Sequence, residues 1–145
     1  MTKNTYAVPN AVMSTAYTRN INTSFMGIQW RQLNSPSKYF FYMHFAELAR
    51  LGKNESREFN IFINDKLWFG TFSPSYLAHD TIYSESGIKP DSDGMITVWL
   101  NKTTNSTLPP LLNAMEIYVL KELSQLQTNQ SDGMSFLQSL YFFWS

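Results

Sequence analysis

Apolar and polar positions alternate at period two along most of this chain, and no long segment holds a clean helical period. Six runs bounded by turn formers carry the pattern: YAVPNAVMSTAYT, SFMGIQW, KYFFYMHFAEL, SREFNIFINDKLWFGTF, DGMITVWL and LLNAMEIYVL. In EFNIFIN the residues Phe59, Ile61 and Ile63 point one way, and Asn60, Phe62 and Asn64 the other, as in a half-buried strand. The Asn64-Asp65 pair before KLWFG predicts a hairpin turn, and Pro109 and Pro110 end a loop ahead of LLNAMEIYVL without removing a ladder hydrogen bond. Helical crossovers are missing between the runs, so the sheets are expected to be antiparallel. The predicted fold is all-β, an antiparallel β-sandwich or jelly roll.

At 145 residues the chain is long enough for one domain that buries about two thirds of its unfolded surface. Eleven basic and eleven acidic side chains cancel and are scattered singly, so the charge pattern offers no field for nucleic acid or anionic lipid. No segment approaches the roughly 20 apolar residues of a membrane span, and MTKNTYAVPN has no apolar signal core, so direct membrane insertion is not expected. Cysteine is absent, which removes disulfides and thiolate metal sites. Aromatic residues reach 16% against 15% charged, a balance that favours sheet with aromatic surface.

The candidate chemistry is thin. His44 and Glu47 lie three apart in YFFYMHFAEL, but in a strand they face opposite sides of the sheet, so they read as a hydrogen-bonded strand residue and a loop anchor. His79 stands beside Asp80 without a nucleophile elbow anywhere in the chain. Glu47, Glu58, Asp65, Asp80 and Glu116 contain the carboxylates from which a glycoside hydrolase pair would be drawn, a reading kept as the enzymatic alternative. No catalytic residue, metal ligand or cofactor is assigned. Five N-x-[ST] sequons, at Asn22, Asn54, Asn101, Asn105 and Asn129, exceed the about two expected by chance. Each stands near a Pro, Gly or polar loop rather than inside an alternating run, which predicts glycosylated, solvent-facing loops of an extracellular domain. Trp68, Tyr76 and Tyr83 sit next to hydrogen-bonding residues and are the candidate ligand-binding rings, since sugars stack apolar CH faces on aromatic planes.

YFFYMHFAEL, then SREFNIFINDKLWFGTFSPSYL, then NSTLPPLLNAMEIYVL resemble, in order and spacing, the malectin-like ectodomain of plant receptor-like kinases, especially those with leucine-rich repeats. YAVPNAVMSTAYT looks like the start of the second malectin module, and the likeness is assigned to residues 6–132. It implies a malectin-type β-sandwich outside the plasma membrane, without enzymatic activity in this portion. The implied partners are cell-wall carbohydrate or a secreted peptide, together with another receptor ectodomain. A ligand-free spacer is the remaining alternative. The family usually has Gly where this chain has Asp65, so the turn must accept a non-Gly residue. Residues 133–145 form a divergent aromatic tail with Leu140, Tyr141, Phe142, Phe143 and Trp144, belonging to no domain and pointing to a truncated chain. Such an end is an aggregation liability unless it packs.

Overall fold

The computed structural model describes residues 8–31 and 38–120, together with the backbone of residues 138–142. Two four-stranded antiparallel sheets face each other. One has the order β10-β9-β3-β6, built from Gln138–Phe142, Ala114–Leu120, Lys38–Phe45 and Asp80–Tyr83; the other has the order β2-β7-β4-β5, built from Phe25–Arg31, Met95–Lys102, Phe59–Ile63 and Lys66–Phe72. A small pair, β1 (Tyr17–Thr18) with β8 (Leu111–Leu112), adds to the sandwich.

The period-two pattern builds the core directly. Tyr39, Phe41, Met43 and Phe45 of β3 and Met115, Ile117 and Val119 of β9 meet Phe59, Ile61 and Ile63 of β4 and Ile96, Val98 and Leu100 of β7. Phe45, Phe59 and Phe72 form a triangle of rings with centroids 5.0 to 5.7 Å apart. These rings carry much of the burial, at roughly 25 cal/mol for each Å² of apolar surface removed from water.

The β4–β5 hairpin turns at Asn64 and Asp65, both with positive φ, as a two-residue turn matched to strand twist requires. Asn64 is also tied to β7: its amide donates to Thr97 O, and its Oδ1 accepts from Thr97 N at 3.1 Å. Edge strand β5 then departs from regular pairing twice. Trp68 is extra between Leu67 and Phe69, and Gly70 and Thr71 stand against Asn60 alone. Thr71 takes a φ of 45°, with its amide donating to Asn60 Oδ1 at 2.7 Å. Such bulges twist an edge away from further pairing.

Three elements differ from the sequence pattern. YAVPNAVMSTAYT is not a strand through its described part: Asn10–Met13 makes one helical turn, α1, after Pro9, burying Met13, and β1 is two residues long. Strand β6, Asp80–Tyr83, has one core residue, Ile82, too short an alternation to stand out. In the tail, β10 continues the first sheet with Leu140 opposite Ile117 and Tyr141 opposite Glu116.

Candidate functional site

Where β3 ends, buried polar residues fix the chain. Asn113 Oδ1 accepts from Ala46 N at 2.7 Å, its Nδ2 donates to Thr15 O at 2.9 Å, and its own amide donates to His44 O. Glu47 is buried as well: Oε1 accepts from Ala49 N at 3.0 Å, and Oε2 pairs with Arg57 Nε at 2.6 Å. Arg57 donates in turn to Pro109 O. Glu47 is therefore the loop anchor expected from its place in the sequence.

The anchored loop is the segment of residues 73–79. Glu47 N donates to Ser75 O at 3.0 Å and Leu77 N donates to Glu47 O at 2.9 Å, while Ser75 N is held by Asp80 Oδ2 at 2.7 Å. Asp80 thus works as a loop clamp beside His79. Between these ties the loop presents two adjacent side chains to solvent, Tyr76 at 54% and Leu77 at 64% exposure. Leu77 has a φ of 50°, the left-handed region that a branched residue rarely adopts. A backbone strained in this way and held by three hydrogen bonds from Glu47 and Asp80 commonly belongs to a site.

The outer face of the β10-β9-β3-β6 sheet carries a second cluster. Tyr42 stacks on Tyr83 with centroids 5.4 Å apart and planes 14° apart, and meets Tyr118 edge-on at 5.5 Å. Tyr118 Oη donates to Glu116 Oε2 at 2.5 Å. His44 lies on the same face, its Nδ1 3.0 Å from Thr81 Oγ1 and its Nε2 3.5 Å from Glu116 Oε1, near enough to feel the charge and too long for a good hydrogen bond. Burial pushes the His44 pKa down; the Glu116 carboxylate opposes that shift, and His79 adds to it. His44 is thus a neutral strand residue near neutral pH, on the face opposite the core.

The three candidate rings stand in three settings. Trp68 is half-buried and packs against the core from the β5 bulge, Tyr76 is on the anchored loop, and Tyr83 lies against Tyr42 on the outer sheet face. Leu77 and the Tyr42, Tyr118 and Glu116 cluster were missed. The alternation that put Tyr42 with His44, and Glu116 with Tyr118, was the signal available for the cluster. The carboxylates have separate tasks: Glu47 accepts from Ala49 N and pairs with Arg57, Asp80 holds the loop through Ser75 N, Glu58 accepts from Thr103 Oγ1 at 2.6 Å, and Asp65 stands in the hairpin turn. Among the described residues no group of three or more His, Cys, Asp or Glu is placed to hold a metal ion. A cavity of about 50 Å³, lined by Met26, Val98, Leu100 and Leu112 among others, is far below the roughly 300 Å³ of a small-molecule pocket.

Asn22, Asn54 and Asn105 lie on exposed turns, and Asn129 is outside the described residues. Asn101 corrects the expectation for sequons: it is the seventh residue of β7 and partly buried, on the outward side of an alternation whose inward members are Ile96, Val98 and Leu100. Two other sequons clasp each other. Ser56 Oγ donates to Asn105 O at 2.7 Å, and Thr107 Oγ1 accepts from Ser56 N at 2.8 Å. The hydroxyl residues of these two sequons therefore hold the fold together, which accounts for part of the sequon density without glycosylation.

The malectin-like domain family model matches residues 1–120. The chain belongs to this family. Two probable LRR receptor-like serine/threonine-protein kinases of Arabidopsis thaliana are similar to it, one 38% identical over 141 residues and the other 43% identical over 133. The matches cover 95% and 90% of this chain but 16% and 15% of those proteins, so the chain spans about one sixth of their length. A receptor-like protein kinase of the same plant is 36% identical over 140 residues. No solved structure matches. The matched region is a non-catalytic ectodomain module, and the kinase domains of the relatives lie outside it. Neither the family match nor the geometry of the described residues supports hydrolysis.

Proposed function

We propose that this malectin-like domain is an extracellular recognition module of a plant receptor kinase and that it takes a cell-wall saccharide on the loop of residues 73–79. The observation that carries the reading is the exposed Tyr76 on a backbone clamped by Glu47 and Asp80. A phenol ring offers an apolar plane to the CH face of a sugar, and Ser75 next to it and His79 further along the same loop are exposed hydrogen-bonding partners for hydroxyls. Pre-fixing the loop lowers the ordering cost of binding. A secreted peptide is the second reading, favoured by the exposed Leu77, which suits an apolar side chain better than a sugar.

Calorimetric titration of the folded chain with cell-wall oligosaccharides tests the first reading. Saturable heat lost in Tyr76→Ala and kept in Leu77→Ser supports it. Loss in Leu77→Ser, with binding of a peptide instead, moves the site to the second reading. Equal saccharide binding in both variants removes the loop from recognition.

A further inference from the structure

Asn101 is the one sequon acceptor among the described residues that sits inside a strand, and its neighbours are unlike those of a turn. In the outward row of β7 it has Phe25 of β2 on one side and Asn60 of β4 on the other. The next row of the same face runs Gly27, Trp99, Phe62 and Leu67 across all four strands. Phe25 and Trp99 meet edge to face with centroids 5.9 Å apart. A Cβ on Gly27 would stand 1.9 Å from Trp99 Cε3, so the indole lies down against the Gly27 backbone and the strip stays low. Phe25 is 48% and Leu67 60% exposed. An apolar strip across an outer sheet face, reaching both edge strands, invites self-association unless something covers it.

We propose that Asn101 carries an N-linked glycan whose first sugars lie over the strip of Phe25, Trp99 and Phe62. The proposal rests on the extracellular reading above, because the modification belongs to the secretory route. The Asn101 carboxamide nitrogen bonds to the anomeric carbon of an N-acetylglucosamine carried on a lipid diphosphate. The anomeric C–O bond breaks, the lipid diphosphate leaves with the electron pair, and one amide proton passes to a base. Thr103, the hydroxyl residue of this sequon, is engaged by Glu58 at 2.6 Å in the folded domain, which is compatible with transfer to a chain not yet folded. Strand spacing sets the reach: Phe25 and Phe62 are on the strands about 5 Å to either side of β7, and Leu67 is on the strand about 10 Å away. A sugar leaving Asn101 starts beside this strip, and its CH faces suit the Phe25 and Trp99 rings. The Asn101-Lys102-Thr103 sequon stands opposite Phe25, one row from Trp99 on the same face, which is why the attached sugar is the occupant argued for.

The test sends the full chain through the secretory pathway of plant cells and maps occupied sequons by peptide mass spectrometry. Glycan removal from the folded protein and Asn101→Gln are then compared for binding of an apolar dye and for molar mass. Occupied Asn101, with several-fold more dye bound and a shift toward dimers after either change, is the expected result. Thr103→Ser keeps both the sequon and a hydroxyl for Glu58 and should behave as the parent. Circular dichroism separates exposure of the strip from unfolding, and enzymatic removal avoids the folding question altogether. An empty Asn101 beside an occupied Asn22, Asn54 or Asn105 overturns the proposal and leaves the extracellular reading standing. A glycan on Asn101 whose removal changes neither dye binding nor mass overturns it too, as does a partner protein bound equally with and without the sugar. Five empty sequons would sink the extracellular reading together with it.

Discussion

Arg57 Nε lies 2.6 Å from Glu47 Oε2 with the two side chains 9% and 5% exposed, and this pair ties the segment after β3 to the segment ahead of β4, while the Glu47 backbone holds the loop that presents Tyr76. A charge pair so enclosed adds little net stability relative to an apolar pair of the same shape, but removing one partner strands the other.

Arg57→Met should therefore destabilise the domain by about 3 to 5 kcal/mol, because the Glu47 carboxylate is left buried with Ala49 N as its remaining partner. Arg57→Met with Glu47→Leu should recover much of that loss. Urea unfolding of the two variants checks this, and a double variant no better than the single one would mean that the lost Arg57 bond to Pro109 O, rather than the stranded charge, carries the cost.

Gly27→Ala is the second case. Its new Cβ would overlap Trp99 Cε3 and Cζ3, at 1.9 and 2.1 Å, so the indole must swing off the sheet or the strands must part. Overpacking of this kind costs about 1 to 3 kcal/mol, and the swing moves Trp99 toward water. The expected readout is a red-shifted tryptophan emission together with a lower unfolding midpoint. An unchanged spectrum would show that the indole does not lie against Gly27.

His44 gives the pH dependence. Its folded pKa is depressed, chiefly by burial, so the unfolded chain binds more protons below the unfolded value of 6.5. Stability is then full above about pH 6.5 and declines as pH falls through the folded pKa, since the buried ring must take up a proton. Glu116 and His79 pull this pKa in opposite directions, and Thr81 contacts Nδ1. Denaturant midpoints between about pH 7.5 and about pH 5 should fall for the parent and fall less for His44→Gln, which cannot take up a proton. Equal slopes would mean that His44 is not the group responsible.

The sandwich was legible because its core strands alternate strictly: Tyr39, Phe41, Met43 and Phe45 point inward as their spacing demands. The same alternation separated His44 from Glu47, and the Asn64-Asp65 pair placed the hairpin. It failed where alternation is short or local geometry decides. Strand β6 buries Ile82 alone, and α1 follows from Pro9 starting one turn that burying Met13 completes. Tyr76 was legible as a ring beside polar residues, but its exposure was not, because it depends on Glu47 reaching Ser75 and Leu77 from a distant part of the chain. Trp68 shows the converse: a bulge, invisible in the pattern, turns it onto the core.

Asp65 closes the hairpin with a φ of 59°, next to Asn64 at 48°, in a position where glycine meets no Cβ penalty. Asp tolerates the left-handed region better than most residues, yet relief of about 0.5 to 1 kcal/mol is expected when the side chain is removed, offset in part by the larger entropy of a glycine in the unfolded chain. The Asn64 ties to Thr97 and Lys89 are made by its amide and carboxamide and do not involve Asp65, so the turn keeps its register. Asp65→Gly should accordingly raise the melting temperature by about 2 °C, while Asp65→Val, β-branched in the same conformation, should lower it by more than that. A calorimetric scan of both variants decides the matter: a lower melting temperature for Asp65→Gly would mean that chain entropy, not turn strain, dominates at this hairpin.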